Sequence, residues 1–434
     1  MNSAVHQDAN TSLLVRRQRV MGQSPLFYQQ PLHLVKGEGV YLYDVDGEPY
    51  LDCYNNIPVV GHCNPQVVQA IYEQAQVLNV HSRYLSDNII SYGERLLATF
   101  KADFNQIIFT CSGSEANDQA LRIVRQVTGA EGIICSNYAY HGNTAAVDRV
   151  SPLFKDPQDR HNYDDVQMIP FPETYRPLNG LTGEALVNAY LEQVQMQIDA
   201  FKKSGVGFAG IIFCSVFANE GLPDVPATLL QKVTDLVHAE GGLVIADEVQ
   251  AGFGRTGKMW GHEHMGFVPD LVTMGKPMGN GYPIAALVAQ AELFEKFRQK
   301  NFYFNTFAGA QVAAAAANAV LDVFEEQQLL KNASEMGDYI RTGLRHYANK
   351  YNLIDDVRGV GLWVGFEMVS DKQLKTPAIL ETKQLVNSLK EQGILVSTMG
   401  PYDNVLKIRP PLIFNQSNAD ELLEKLGYCL SQIK

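Results

Sequence analysis

Leu243-Val244-Ile245-Ala246-Asp247-Glu248-Val249-Gln250 is the stretch that decides the architecture. Four near-continuous apolar residues that stop at acidic ones read as a short strand covered on both faces. Runs of the same kind recur on either side: Ile107-Ile108-Phe109, Gly132-Ile133-Ile134-Cys135 and Ile211-Ile212-Phe213 before it, Leu271-Val272-Thr273-Met274 after it. Between the runs the apolar period lengthens to that of helices, at 115–125, 183–203 and 229–239. Strands alternating with helices predict an α/β fold around a central, mainly parallel sheet.

Working outward, this pattern spans 61–315, a large domain. Residues 1–60 read as a β-rich segment that joins a smaller domain: Val40-Tyr41-Leu42-Tyr43 alternates toward the turn signal Asp46-Gly47, and Tyr50-Leu51 resumes beyond it. An alanine-rich helix begins at 311 and carries the chain into 316–434, a smaller α+β domain. There a strand is expected over 359–366, a helix over 382–392, strands over 394–397 and 406–409, and a last helix from Asn418.

Composition narrows the function. With 434 residues and 46% hydrophobic content, two or three domains with a large core are expected and disorder is not. The 35 basic residues against 47 acidic ones give a net charge of −12 without a Lys/Arg block, so a nucleic-acid partner is not expected. Six scattered cysteines with no Cys-x-x-Cys pair predict reduced, buried thiols and no zinc ribbon. The first twenty residues hold no apolar run suited to a signal peptide or membrane span, so a cytoplasmic protein with no membrane partner is expected.

Ligands of open parallel sheets bind beyond the carboxyl ends of the strands. The residues just past each apolar run are polar and chemically complementary. Ser112-Gly113-Ser114-Glu115 opens a helix, whose free N–H groups suit a phosphate, although the same triplet also serves as a plain N-cap. Asp247 ends a buried strand and needs a cationic partner, such as a protonated pyridine nitrogen, or else a capping role. Lys276, followed by Pro277 to hold it extended and flanked by glycines, suits nucleophilic amine chemistry better than a surface loop. Tyr138-Ala139-Tyr140-His141-Gly142 offers an aromatic that either stacks on a planar group or simply packs. An amine, a buried carboxylate, a phosphate seat and an aromatic together are what pyridoxal phosphate requires.

The same residues, with Gly252-Phe253-Gly254-Arg255-Thr256-Gly257 and Asn305-Thr306, stand in the order of a known family. Over essentially its whole length the chain resembles the class-III aminotransferase family of pyridoxal-phosphate enzymes, fold type I. Its 273–281 and 400–411 segments look nearest to the ethanolamine-phosphate phospho-lyase-like branch. The resemblance implies that Lys276 is the Schiff-base lysine, that Asp247 pairs with the ring nitrogen and that Tyr140 and Val249 sandwich the ring. It further implies Gln250 near the phenolic oxygen, Gly113 and Ser114 on the phosphate, and Thr306 reaching the phosphate of a second subunit, hence a homodimer with shared sites.

Three departures shape the expected chemistry. Cys214 stands where many members carry a carboxylate behind the cofactor; Asn219 stands where dual-substrate aminotransferases carry a gating glutamate, with Glu220 beside it; and Arg409 replaces the lysine of the phospho-lyases. An arginine fork binds carboxylate or phosphonate bidentately. The expectation is therefore a lyase that releases ammonia and a β-phosphate or β-hydroxyl from a small anionic primary amine, such as phosphoethanolamine or a hydroxylated aminoethylphosphonate. Arg409 anchors the anion, with Arg83 either beside it or a solvated charge. A transaminase acting on an amino acid or ω-amine and a keto acid is the alternative. A dinucleotide oxidoreductase is disfavoured, because residues 258–264 lack the amphipathic helix that must come after Gly-x-Gly-x-x-Gly.

Overall fold

The computed structural model describes residues 2–100, 104–156, 158–159 and 163–433, the first ten of these by their backbone alone. At its centre lies a seven-stranded sheet in the order Gln106–Thr110, Ala285–Ala289, Leu271–Met274, Leu243–Asp247, Phe208–Cys214, Gly132–Ser136, Val166–Ile169. All pairs are parallel except those of Ala285–Ala289, which runs antiparallel to both neighbours. Alternate residues of each strand enter opposite cores: Ile134, Ile211 and Val244 pack on one face, Ile133, Ile212 and Ile245 on the other. Burial on both faces is why these strands are apolar without alternation.

Helices Gly113–Thr128, Gly183–Ser204 and Leu229–Ala239 lie within a few residues of the expected spans. The first is fixed by a capping box, in which Ser112 Oγ accepts from the Glu115 N–H and the Glu115 carboxylate accepts from the Ser112 N–H.

Elsewhere the structure corrects the sequence reading. Asn2–Met21 is a helix rather than part of a β-rich segment; no Gly or Pro interrupts 2–21, and Gly22 (φ +67°) comes next. The single strand expected at 359–366 is a hairpin, Ile354–Val360 and Trp363–Asp371, because Gly359 (φ +127°) and Gly361 (φ +52°) reverse the chain. The strand expected at 394–397 divides between two sheets: Ile394–Leu395 pairs in parallel with Pro49–Asp52, while Ser397–Met399 pairs with Val405–Ile408.

That hairpin turn anchors the carboxyl-terminal sheet to the region around the strand ends. The Leu362 N–H donates to the Arg255 carbonyl at 3.1 Å, and a Cβ on Gly361 would come within 2.3 Å of that oxygen. From the other side helix Leu329–Lys350 presents Gly337, where a Cβ would meet the Gly361 carbonyl at 1.8 Å. Neither backbone can yield. Gly337→Ala is expected to lower the stability of the folded protein by about 1–3 kcal/mol through overpacking, read from denaturant midpoints; an unchanged midpoint would show that the turn is free to move.

Candidate active site

Because the strands run parallel, their carboxyl ends share one edge, and the polar residues beyond them meet there. Asp247 is the best held. Its Oδ2 accepts from Asn117 Nδ2 at 3.0 Å and lies 2.7 Å from His141 Nδ1, while Oδ1 accepts from the Val249 N–H at 3.0 Å. Asn117 is oriented in turn by Thr273 Oγ1, which donates to its Oδ1 at 2.6 Å, and by the His141 carbonyl, which accepts at 2.7 Å. All four of these side chains are buried, so the donors replace the water that the carboxylate has lost.

A cavity of about 210 Å³ opens in front of Asp247, lined by Ser112, Gly113, Ser114, Tyr140, His141, Gly142, Cys214, Asp247, Val249, Gln250 and Lys276. It exists because glycines leave it open. A Cβ on Gly113 would lie 2.7 Å from Val249 Cγ2, and one on Gly142 would lie 2.4 Å from Ser114 Oγ.

Lys276 stands just past strand Leu271–Met274 with φ +36°, left-handed rather than extended as the following proline suggested. The turn Lys276–Gly279 that begins there explains the difference. Its side chain is accessible, but to the cavity rather than to bulk water. Enclosure pulls its ammonium below the ordinary lysine range; Asp247 opposes that shift and Arg409 adds to it.

Arg409 is buried behind the cavity wall. Its Nη1 donates to Gln250 Oε1 at 2.5 Å and its Nε to the Tyr54 carbonyl at 3.0 Å, with the guanidinium 5.1 Å from the Trp363 ring centre. No carboxylate among the described residues pairs with it, and burial drives it down to about 10. Sequence reasoning missed Lys407, two residues earlier on strand Val405–Ile408, which is buried against the same ring at 5.9 Å. Burial, then the charges of Arg409 and Lys276, hold its ammonium well below the usual range. The available signal was a lysine inside an otherwise apolar strand, on the same face as Arg409.

The remaining expected residues fall into two groups. Tyr140, Val249, Gln250, Gly113 and Ser114 line the cavity. Thr306 and Arg83 are exposed and outside its lining; the Arg83 guanidinium lies 5.3 Å from the Phe304 ring centre. Glu220 is buried and turned toward Ser136, and Asn219 is reached by Gln250 Nε2 at 3.5 Å. After Gly252–Gly257 the structure has turns and only the short helix Gly261–Met265, so no dinucleotide-binding helix succeeds that motif.

The aminotransferase class-III family model matches residues 26–430. The chain belongs to the class-III aminotransferase family. An alanine–glyoxylate aminotransferase 2-like protein of Drosophila melanogaster is 37% identical over 99% of this chain and 89% of its own. An ethanolamine-phosphate phospho-lyase homologue of Caenorhabditis elegans is 34% identical over 96% of this chain and 93% of its own. The solved structure of a phospholyase from Arthrobacter in complex with phosphoethanolamine superposes with a TM-score of 0.93 at 42% identity, covering 97% of this chain and 100% of the other.

The chain is thus an enzyme of the pyridoxal-phosphate fold type I, and pyridoxal phosphate is its cofactor. The cavity suits that group on its own chemistry: an amine with depressed basicity, a carboxylate held by Asn117, His141 and the Val249 amide, a helix N-terminus, and glycines where any Cβ would fill the slot. Among the described residues no helix is long and apolar enough to cross a membrane.

Since Asp247 raises the basicity of Lys276 and Arg409 lowers it, the two substitutions should act oppositely. Asp247→Asn moves the pH at which the Lys276 amine loses its proton downward, and Arg409→Gln moves it upward. The pH dependence of reductive methylation at Lys276 in cofactor-free protein reads both shifts; movement in the same direction would contradict the arrangement.

Proposed function

We propose that this enzyme is an ammonia-releasing lyase that eliminates a β-phosphate or β-hydroxyl from a small, anionic primary amine. The observation that carries this reading is a pair of buried basic groups, Arg409 and Lys407, with no acid in contact among the described residues. The position expected to carry a gating glutamate is Asn219. A buried cation without a counter-charge is costly, so the pair favours a ligand that brings one. With no acid to cover the cations between half-reactions, the pocket suits one anionic substrate better than an alternation of two. The likeness to the phosphoethanolamine-bound phospholyase supports the same choice.

Pyridoxal phosphate supplies, when bound, an electron sink for the carbon that carries the substrate nitrogen. In this reading Gly113 and Ser114 seat its phosphate, Tyr140 and Val249 flank its ring, Gln250 lies near its phenolic oxygen, and Asp247 faces its ring nitrogen. Lys276 Nζ, whose basicity is lowered by its enclosure, would take the proton from the substrate carbon bearing nitrogen. Arg409 and Lys407 hold the anionic end. For phosphoethanolamine, the carbon–oxygen bond breaks, phosphate departs with the bonding electrons, and one water converts the remainder to aldehyde and ammonia.

Incubation with phosphoethanolamine or a hydroxylated aminoethylphosphonate should release ammonia without any keto acid, accompanied by phosphate in the first case. Lys407→Met should raise KM for such substrates roughly ten- to hundredfold, the worth of a hydrogen bond to a charged group. Ammonia release that depends strictly on a keto acid would instead establish the transaminase reading, which the alanine–glyoxylate aminotransferase 2-like relative favours.

We also propose a homodimer. Leu85 is 99% exposed, Phe302 77% and Phe307 74%, and they lie along two segments joined by contacts of His81 with Tyr84 and Phe304. Apolar surface so concentrated beside Thr306 and Arg83 favours a second copy, to whose cofactor phosphate Thr306 would reach. Sedimentation should show a dimer that Leu85→Glu with Phe307→Glu converts to a monomer of weakened cofactor retention; a wild-type monomer would reject this.

A further inference from the structure

The amino-terminal strands have no task in the reading above, yet one of them ends against Arg409. Strand Pro49–Asp52 pairs with Ile394–Leu395, and just past its end the Cys53 carbonyl accepts from the Arg409 N–H at 2.7 Å. One peptide further on, the Tyr54 carbonyl accepts from Arg409 Nε at 3.0 Å, and the Tyr54 ring centre lies 5.3 Å from the guanidinium. Phe27 meets that ring edge-on at 4.8 Å.

The opposite ends of the same two peptide groups are held by one acid. Asp52 Oδ1 accepts from the Tyr54 N–H and from the Asn55 N–H, both at 2.9 Å. In a trans peptide the N–H and the C=O point in opposite directions. The peptides Cys53–Tyr54 and Tyr54–Asn55 therefore stand between a carboxylate on their donor side and Arg409 on their acceptor side. Asp52 is fully buried; its Oδ2 accepts from Asn55 Nδ2 at 3.0 Å and lies 2.7 Å from His62 Nε2. His62 is fixed in turn. It exchanges both backbone hydrogen bonds with Gly39, and a Cβ on Gly37 would come within 2.9 Å of the His62 Cβ. An acid that merely closes a turn leaves the carbonyls beyond it to water, whereas here both carbonyls go to a single arginine from the far end of the chain.

We propose that Asp52 is a positioning residue for Arg409: through the two peptide groups it holds, it aims the guanidinium at the anionic end of the substrate. A carboxylate on the N–H of a peptide group polarises its C=O and strengthens it as an acceptor. Acid and arginine are thus joined through neutral groups without touching. A guanidinium on a flexible stem loses less freedom on meeting an anion when its backbone and Nε are already fixed. Its Nη1 is fixed as well, on Gln250 Oε1 at the cavity wall. The inference rests on the reading that Arg409 meets that anionic end.

Binding of phosphoethanolamine, β-alanine and n-propylamine to the holoenzyme, read from its absorbance, tests it, because only the first two carry an anion. Asp52→Ala should raise the dissociation constants of both anions about tenfold, the loss of a hydrogen bond to a charged group, and leave that of n-propylamine unchanged. Asp52→Asn, whose amide oxygen still accepts from both N–H groups, should recover most of the loss. An Asp52→Ala protein that binds the anions like the wild type, or that binds all three amines equally poorly, would refute the role. If Asp52→Ala does not fold, hydrogen exchange in the wild-type holoenzyme decides: β-alanine at saturation should slow the Tyr54 and Asn55 amides, since coupling between sites is reciprocal. Unaltered exchange at both would likewise overturn the proposal. The underlying readings are judged separately on the wild type. Equal affinity for β-alanine and n-propylamine would remove the anion-binding role of Arg409, and ammonia release from phosphoethanolamine decides the lyase.

Discussion

A carboxylate at the end of a strand buried on both faces has to be held by donors or lose its charge, and much of this structure serves to hold Asp247. The Val249 amide, Asn117 and His141 surround it, and Thr273 from the neighbouring strand fixes Asn117. Those groups come from four separate segments, so the site exists only when the sheet is in register. Asp247 and Thr273 are partners in the parallel ladder, which brings the acid and the lysine-bearing strand side by side. The carboxylate and Lys276 thus face one cavity although twenty-nine residues separate them in the chain.

The second constraint is a cluster of buried basic groups. Lys276, Lys407, Arg409 and Arg255 are linked by their mutual fields, and burial pulls each below its ordinary range. Arg255 Nη1 donates to the carbonyls of Leu362 and Pro410, which ties the Gly252–Gly257 turn to the hairpin at Gly361 and to the segment that follows strand Val405–Ile408. A motif that resembles a dinucleotide fingerprint is here a clamp between sheets. Removing water from such groups strengthens their hold on any anion that enters, and in the proposed lyase this would link the packing of the carboxyl-terminal sheet to the choice of substrate.

Glu220 shows how a local substitution is absorbed by the fold. In the linear sequence it sits beside Asn219 and invites comparison with a gate. In space it is turned toward Ser136 and does not line the cavity. Neighbouring residues of an irregular loop point in different directions, so adjacency along the chain carries little information about function there.

The sequence alone determined the sheet and the polar residues gathered at its edge, because a strand buried on both faces must be a continuous apolar run and its polar successor must lie at the sheet edge. Ile245 and Val244 entering opposite cores, and Asp247 and Lys276 meeting in one cavity, obey that rule. Tertiary structure alone decided the rest. The hairpin at Gly361 depends on glycine conformation, and the division of 394–399 between two sheets depends on strands from distant parts of the chain. Lys407 reads as an ordinary lysine until the ring of Trp363 and the strand pairing bury it. Periodicity records which face a residue occupies; it does not record what waits on that face, and the charge balance of this pocket is set by what waits there.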